Sequence, residues 1–195
     1  MSLFHTSFET ILFVMVILFW ISSEIIGGSI IPMLRRSGGD IERRDTRSNM
    51  VLHLSMYAAI ITAILLALKN IAMLPDWLFY PGILLIVSGI FVRQWAIFIL
   101  GRFFTTTVSL QKNQKVVNYG PYRYIRHPSY LGIFITITGI GVALRSWGAI
   151  LAILALNGLA IGYRIYIEEK FLVSELGDDY VQYMKRTKRL IPFVL

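Results

Sequence analysis

Five apolar stretches, each close to the length needed to cross a lipid bilayer, constrain this chain before any other feature. A helix needs about 20 apolar residues to span the hydrocarbon core. The stretches run from about Phe8 to Leu34, Met50 to Leu68, Trp77 to Leu100, Pro128 to Leu144 and Trp147 to Ile167. Only 15% of the 195 residues are charged, against about 25% in a soluble domain, so lipid is the expected solvent. The first stretch is too long, and too polar near Glu24 and Gly27-Gly28, to be a cleaved signal peptide. It also lacks a basic start and a small-residue cleavage site. The fourth and fifth stretches meet at Arg145-Ser146-Trp147-Gly148, a connection that permits only a tight antiparallel hairpin. The expectation is one all-α polytopic membrane domain, residues 1–195, with five transmembrane helices and a helical C-terminal tail.

Basic residues set the expected orientation. They gather in the first loop (Arg35, Arg36, Arg43, Arg44, Arg47), the third loop (Arg102, Lys112, Lys115, Arg123, Arg126) and the tail (Lys170, Lys185, Arg186, Lys188, Arg189). The second loop has only Lys69 and the fourth only Arg145. An outside N-terminus and a cytoplasmic C-terminus put every rich cluster on the positive side. The net charge of +8 then reads as orientation and contact with anionic lipid headgroups rather than nucleic-acid binding. With no cysteine and only His5, His53 and His127, thiolate chemistry is excluded and no metal site is expected. The tail from Glu168 is amphipathic; it reads as a helix leaving the membrane, a turn near Gly177 and a second short helix.

Two polar constellations lie at the cytoplasmic face. The first is Tyr119 to Gly132. Gly120-Pro121 signals a turn, and Pro128 suits the first turn of a helix. His127 therefore stands at a helix entrance, where free N–H groups favour an anionic ligand group. The bland alternative is an interfacial aromatic belt with positive-inside arginines. The second is Arg164-Ile165-Tyr166-Ile167-Glu168-Glu169-Lys170. Arg164 and Glu168, four residues apart, share one helix face and can pair; an ordinary snorkelling arginine is the alternative. The hairpin must bring both constellations together. Arg93 and Glu24 fall inside apolar stretches, where charge is costly and marks a site or a structural pair. Gln94 and Trp95 adjoin Arg93 and are candidates to line the same cavity.

The run Arg126-His127-Pro128-Ser129-Tyr130-Leu131-Gly132, followed by Glu168-Glu169, resembles the isoprenylcysteine carboxyl methyltransferase family, which is related to the phospholipid methyltransferases. The ending from Tyr180 through Pro192 also looks like that family's tail. The resemblance implies that S-adenosylmethionine, leaving as S-adenosylhomocysteine, binds in the half from about 101 to 195. By matching positions, Lys115, Val116 and Val117 would contact the cofactor, as would Tyr122, His127, Pro128, Ser129 and Tyr130. Glu168 would bind the cofactor, and Arg164 the substrate carboxylate. A loop glutamine is also expected there, with Gln111 and Gln114 both candidates. Arg93 and Trp95 join Arg164 as expected substrate contacts.

The residues suit carboxyl methylation. A carboxylate is ionised at pH 7 and needs no general base, and arginine can hold it through two parallel hydrogen bonds. The expected acceptor has a polar carboxylate and a lipophilic part, as a prenylated cysteine does, and enters from the bilayer. The alternatives are a phospholipid or small-amine methyltransferase, a sterol reductase using NADPH, or a non-enzymatic membrane scaffold or lipid-binding protein.

Overall fold

The computed structural model describes residue 4 and residues 6–35, 42–110 and 114–190. Among the described residues seven α-helices form: α1 Ser7–Ile25, α2 Ile31–Arg35, α3 Arg47–Leu68, α4 Phe79–Leu100, α5 Pro128–Ala143, α6 Trp147–Leu176 and α7 Asp178–Arg186. A π-helical turn, Ile26–Ile30, links α1 to α2. It falls at Gly27-Gly28, where a Cβ on Gly27 would lie 1.8 Å from the Gln94 amide oxygen.

Among the described residues four helical segments are long and apolar enough to cross a membrane: Ser7–Ile30, Arg47–Leu68, Asp76–Phe103 and Trp147–Leu176. The fourth expected span is shorter: α5 has 16 residues, about 24 Å at the helical rise of roughly 1.5 Å per residue. The outer surface of the bundle exposes Leu84 (69%), Phe91 (68%) and Leu159 (77%). Large side chains this apolar are stable outside only in lipid, so the chain is an integral membrane protein.

The all-α expectation needs one correction. β1 (Glu42–Asp45) pairs antiparallel with β2 (Val108–Leu110), with a register shift between Arg43 and Asp45. The β-branched run Thr105-Thr106-Thr107-Val108 carried that strand signal. The ribbon joins the first and third loops, which the helices alone leave separate.

Helix starts follow local chemistry. The Asp45 carboxylate accepts from Arg47 N (2.9 Å) and Ser48 N at the head of α3. Ser146 Oγ accepts from Ala149 N at the head of α6 (3.2 Å). α6 continues past the apolar stretch, as the tail pattern predicts, to Leu176, and Gly177 turns the chain into α7 with a φ of 56°.

Small residues let the helices pack without a hydrophobic drive, which lipid does not supply. α4 lies closely along α5: a Cβ on Gly132 would sit 2.7 Å from Arg93 N. α3 packs on α6, with Leu52 against Ala160 and Ile161. α5 passes to α6 through Leu144, Arg145 and Ser146. Arg145 is buried there, with Nη1 2.7 Å from Asp76.

Candidate functional site

The polar ends of α3, α5 and α6 converge with α1, α4, the third loop and α7 on a cavity of about 400 Å³. Sequence order explains little of this convergence; three sets of contacts make it.

The first set fixes the head of α5. Pro128 begins the helix and is fully buried, and His127 precedes it with φ −123°. Residues 124–127 pair with the tail like a strand. Arg126 N donates to Lys188 O (2.7 Å), His127 N to Arg189 O (3.1 Å) and Lys188 N to Tyr124 O (3.1 Å). Tyr183 Oη donates to Tyr122 O (2.7 Å), which clamps α7 over the same turn. Burial, reinforced by the Glu168 charge, pushes the Tyr122 and Tyr180 phenols well above their ordinary value, so both remain neutral.

The second set separates the two adjacent glutamates. Neighbours on a helix do not face each other. Glu169 is buried away from the cavity and holds three partners: Arg126 Nε at 2.7 Å, Arg189 Nε at 3.0 Å and His127 Nε2 at 3.4 Å. Arg126 also donates to the carbonyls of Met184 and Thr187. Glu169 is thus the anchor of the tail. Glu168 lines the cavity and accepts from Tyr130 Oη at 2.6 Å.

The third set holds Arg164. It is 1% exposed and donates to Tyr130 Oη (3.0 Å), Ser48 Oγ (2.6 Å) and Thr106 O (3.0 Å). The expected direct pairing with Glu168 is loose, at 4.0 Å, because the Tyr130 hydroxyl bridges the two. Asp45 Oδ2 also lies 4.0 Å from Arg164. Partial burial raises the Asp45 pKa, but hydrogen bonds from Ser48 and Arg47 and the Arg164 charge outweigh it and hold the carboxyl below its ordinary value.

Most of the expected site residues meet here. Gln114, Lys115, Val116, Val117, Tyr122, His127, Ser129, Tyr130, Arg93, Arg164 and Glu168 all line the cavity. Pro128 does not; it shapes the site through the helix it starts. Gln111 lies outside the described residues. Trp95 does not line the cavity either: it is 43% exposed with its ring 6.3 Å from Phe91. At about 3.6 residues per turn, two positions beyond Arg93 is the opposite face of α4. Gln94 points to α1 instead, donating to Ser23 O at 3.1 Å. Sequence reasoning missed Ser48, Thr106 and Asp45, although Asp45 with Ser48 three residues on is a helix-start signature. Among the described residues no three metal-ligating side chains gather.

The cavity lining mixes polar and apolar groups. Tyr130, Glu168, Arg164 and Lys115 are among its polar residues. Ile25 of α1, Leu52 and Met56 of α3 and Ile133 of α5 are among its apolar ones. A site of this size and mixture suits a small molecule with polar and lipophilic portions.

The family model described as the isoprenylcysteine carboxyl methyltransferase (ICMT) family matches residues 82–174. Protein-S-isoprenylcysteine O-methyltransferase B of Arabidopsis thaliana is 29% identical over 156 residues, which cover 76% of this chain and 79% of that one. The Schizosaccharomyces pombe protein-S-isoprenylcysteine O-methyltransferase is 34% identical over 108 residues, 54% of this chain and 46% of that one. Among solved structures, the eukaryotic intramembrane Ras methyltransferase ICMT (isoprenylcysteine carboxyl methyltransferase) matches with a TM-score of 0.58 and 29% identity over 77% of this chain. The chain spans 54% of that structure's length. The matched segment contains α5, most of α4 and α6 and the third loop, the elements that carry Arg93, Tyr130, Arg164 and Glu168, and the family model, the relatives and the solved structure together support the isoprenylcysteine carboxyl methyltransferase family for this chain.

Proposed function

We propose that the protein is a membrane-embedded methyltransferase that converts the carboxylate of a lipophilic, prenylcysteine-like acceptor to its methyl ester. The observation that supports this reading best is the Arg164–Tyr130–Glu168 chain of hydrogen bonds on the wall of a cavity that is also lined by apolar side chains. It sets a cation and an anion at fixed places beside room for a greasy substituent.

S-adenosylmethionine fits as the donor, and when bound it supplies a methyl group on a positively charged sulfur. Lys115, Val116 and Val117 with Tyr122, His127, Ser129 and Tyr130 form its expected wall, and Glu168 offers a carboxylate to its cationic or amino groups. Arg164 retains two N–H bonds beyond those used by Tyr130, Ser48 and Thr106, which can orient an acceptor carboxylate. Burial of these groups excludes water and strengthens the attraction between opposite charges. Methyl transfer joins carboxylate oxygen to the methyl carbon and breaks its bond to sulfur, leaving a neutral ester and a neutral thioether.

An amine acceptor would need a base. Both carboxylates on the cavity wall already accept hydrogen bonds, Glu24 from Arg93 and Glu168 from Tyr130, which favours the carboxylate acceptor.

The topology belongs to the same proposal. α5 pairs with α6 as a membrane hairpin, giving five spans with the N-terminus outside and the C-terminus, tail and site on the cytoplasmic side. The chain acts as one domain, its half from about 101 to 195 holding the donor, with membrane lipids around it. The acceptor enters sideways from the bilayer.

A labelled-methyl assay on a prenylcysteine acid and on phosphatidylethanolamine tests this reading. Transfer to the acid alone is expected, lost in Arg164→Ala and Glu168→Ala while both variants stay folded in detergent. Full activity in both variants would remove the assignment, and binding of NADPH in place of S-adenosylmethionine would remove the donor.

A further inference from the structure

Three arginines line the cavity; Arg126 is tied to the Glu169 anchor of the tail, and the other two, Arg164 and Arg93, are held in different ways. Arg164 is fixed by two hydroxyls and a carbonyl, with the nearest carboxylate oxygens 4.0 Å away. Arg93 is fixed by a carboxylate in direct contact: Nε donates to Glu24 Oε1 at 2.5 Å, and Nη1 donates to Ser129 Oγ at 2.7 Å. Arg93 and Glu24 both line the cavity, and the Glu24 side chain keeps 27% exposure against 9% for Arg93. Glu24 comes from α1, one residue before its end at the π-turn, and lies outside the family-matched segment.

A buried guanidinium stripped of its carboxylate leaves an uncompensated charge, at a cost of several kcal/mol. Glu24 can therefore leave Arg93 cheaply only when another carboxylate takes its place. A neutral ester or a hydrocarbon cannot make that exchange.

We propose that Glu24 is a built-in stand-in for the acceptor's carboxylate. The incoming acid displaces Glu24 from Arg93 and is held there and by Arg164. Once the acid is an ester it cannot hold Arg93, Glu24 returns, and the product loses its polar anchorage. Glu24 acts through Arg93, so it is a positioning residue that sets the preference for acid over ester. This inference rests on the carboxyl-methylation reading above.

Glu24→Gln tests it. Glutamine keeps an oxygen for Arg93 but removes the competing charge. Full-length protein in detergent, saturated with S-adenosylhomocysteine, is titrated calorimetrically with a prenylcysteine acid and with its methyl ester. The acid should bind about tenfold tighter to the variant, the difference between a charged and a neutral hydrogen-bond partner, with ester affinity unchanged. Glu24→Asp, which keeps the charge but shortens its reach, should shift the acid the same way by less, and serves if the glutamine variant does not fold. An unchanged acid-to-ester preference, or equal shifts for both ligands, overturns the stand-in, because a merely structural residue moves both alike. Methyl transfer to the acid by the unaltered protein is measured in parallel. If transfer occurs and the preference does not move, only the stand-in falls; if no prenylcysteine acid is methylated, the functional reading falls and the stand-in with it.

Discussion

Arg164 and Glu168 sit one helical turn apart on α6 yet communicate through the hydroxyl of a residue on another helix: Tyr130 Oη accepts from Arg164 Nε at 3.0 Å and donates to Glu168 Oε2 at 2.6 Å. One hydroxyl thus orients both charged groups, accepting from one and donating to the other. Tyr130→Phe removes both bonds without changing the ring. Affinity for S-adenosylhomocysteine is expected to fall about tenfold, the worth of one hydrogen bond to a charged group. Calorimetry measures it, and a melting curve close to the parent's shows that the bundle stays intact.

Ser48 accepts from Arg164 across 116 residues of sequence and is itself 1% exposed. Ser48→Ala should cost roughly 1–3 kcal/mol, the penalty for leaving a buried donor without its acceptor. It should also lower kcat. Ser48→Thr, which keeps the hydroxyl, should restore most of both, by melting and by labelled-methyl turnover.

Glu169 ties Arg126, Arg189 and His127 to α6. Glu169→Ala leaves Arg126 buried without its carboxylate, a loss of about 3–5 kcal/mol for a broken buried pair. The tail should then become sensitive to limited proteolysis after α7. Glu168→Ala, one residue away on the cavity side, should leave the cleavage pattern unchanged, because Glu168 makes none of these tail contacts.

Gly132 lets α5 approach the Arg93 backbone closely enough that a Cβ would lie 2.7 Å from its nitrogen. Gly132→Val should force the two helices apart and carry Ser129 away from Arg93. A loss of several kcal/mol is expected from overpacking a tight seam. Size-exclusion profiles and melting in detergent would show it as aggregation or an early transition.

Asp45 supplies an acid limit. Its folded pKa lies below the ordinary aspartate value, so the unfolded chain takes up a proton first as pH falls. The stability it contributes is complete above about pH 4, the ordinary carboxylate range. It is lost as pH falls through the lower folded value. Asp45→Asn should lower the melting temperature at neutral pH and flatten the pH dependence below about 4, the carboxylate window. Parallel curves for the two proteins would show that Asp45 is not coupled to the fold.

How much of this was legible in the chain depends on the distance over which each cause acts. Apolar runs, Pro128 at a helix start, Gly177 at a helix end and the shared face of Arg164 and Glu168 are local properties, set by transfer free energy and a repeat of about 3.6 residues. These suffice for a membrane bundle and for the two constellations that line its cavity. Local rules could not separate Glu168 from Glu169, place Trp95 on the outer face, or pair Asp45 and Val108 in a β-ribbon. Nor could they join Glu24 to Arg93, 69 residues apart. Those outcomes depend on which helix faces meet. In lipid that is decided by close packing at small residues and by the demand that each buried charge find a partner, conditions satisfied only when the whole bundle is assembled.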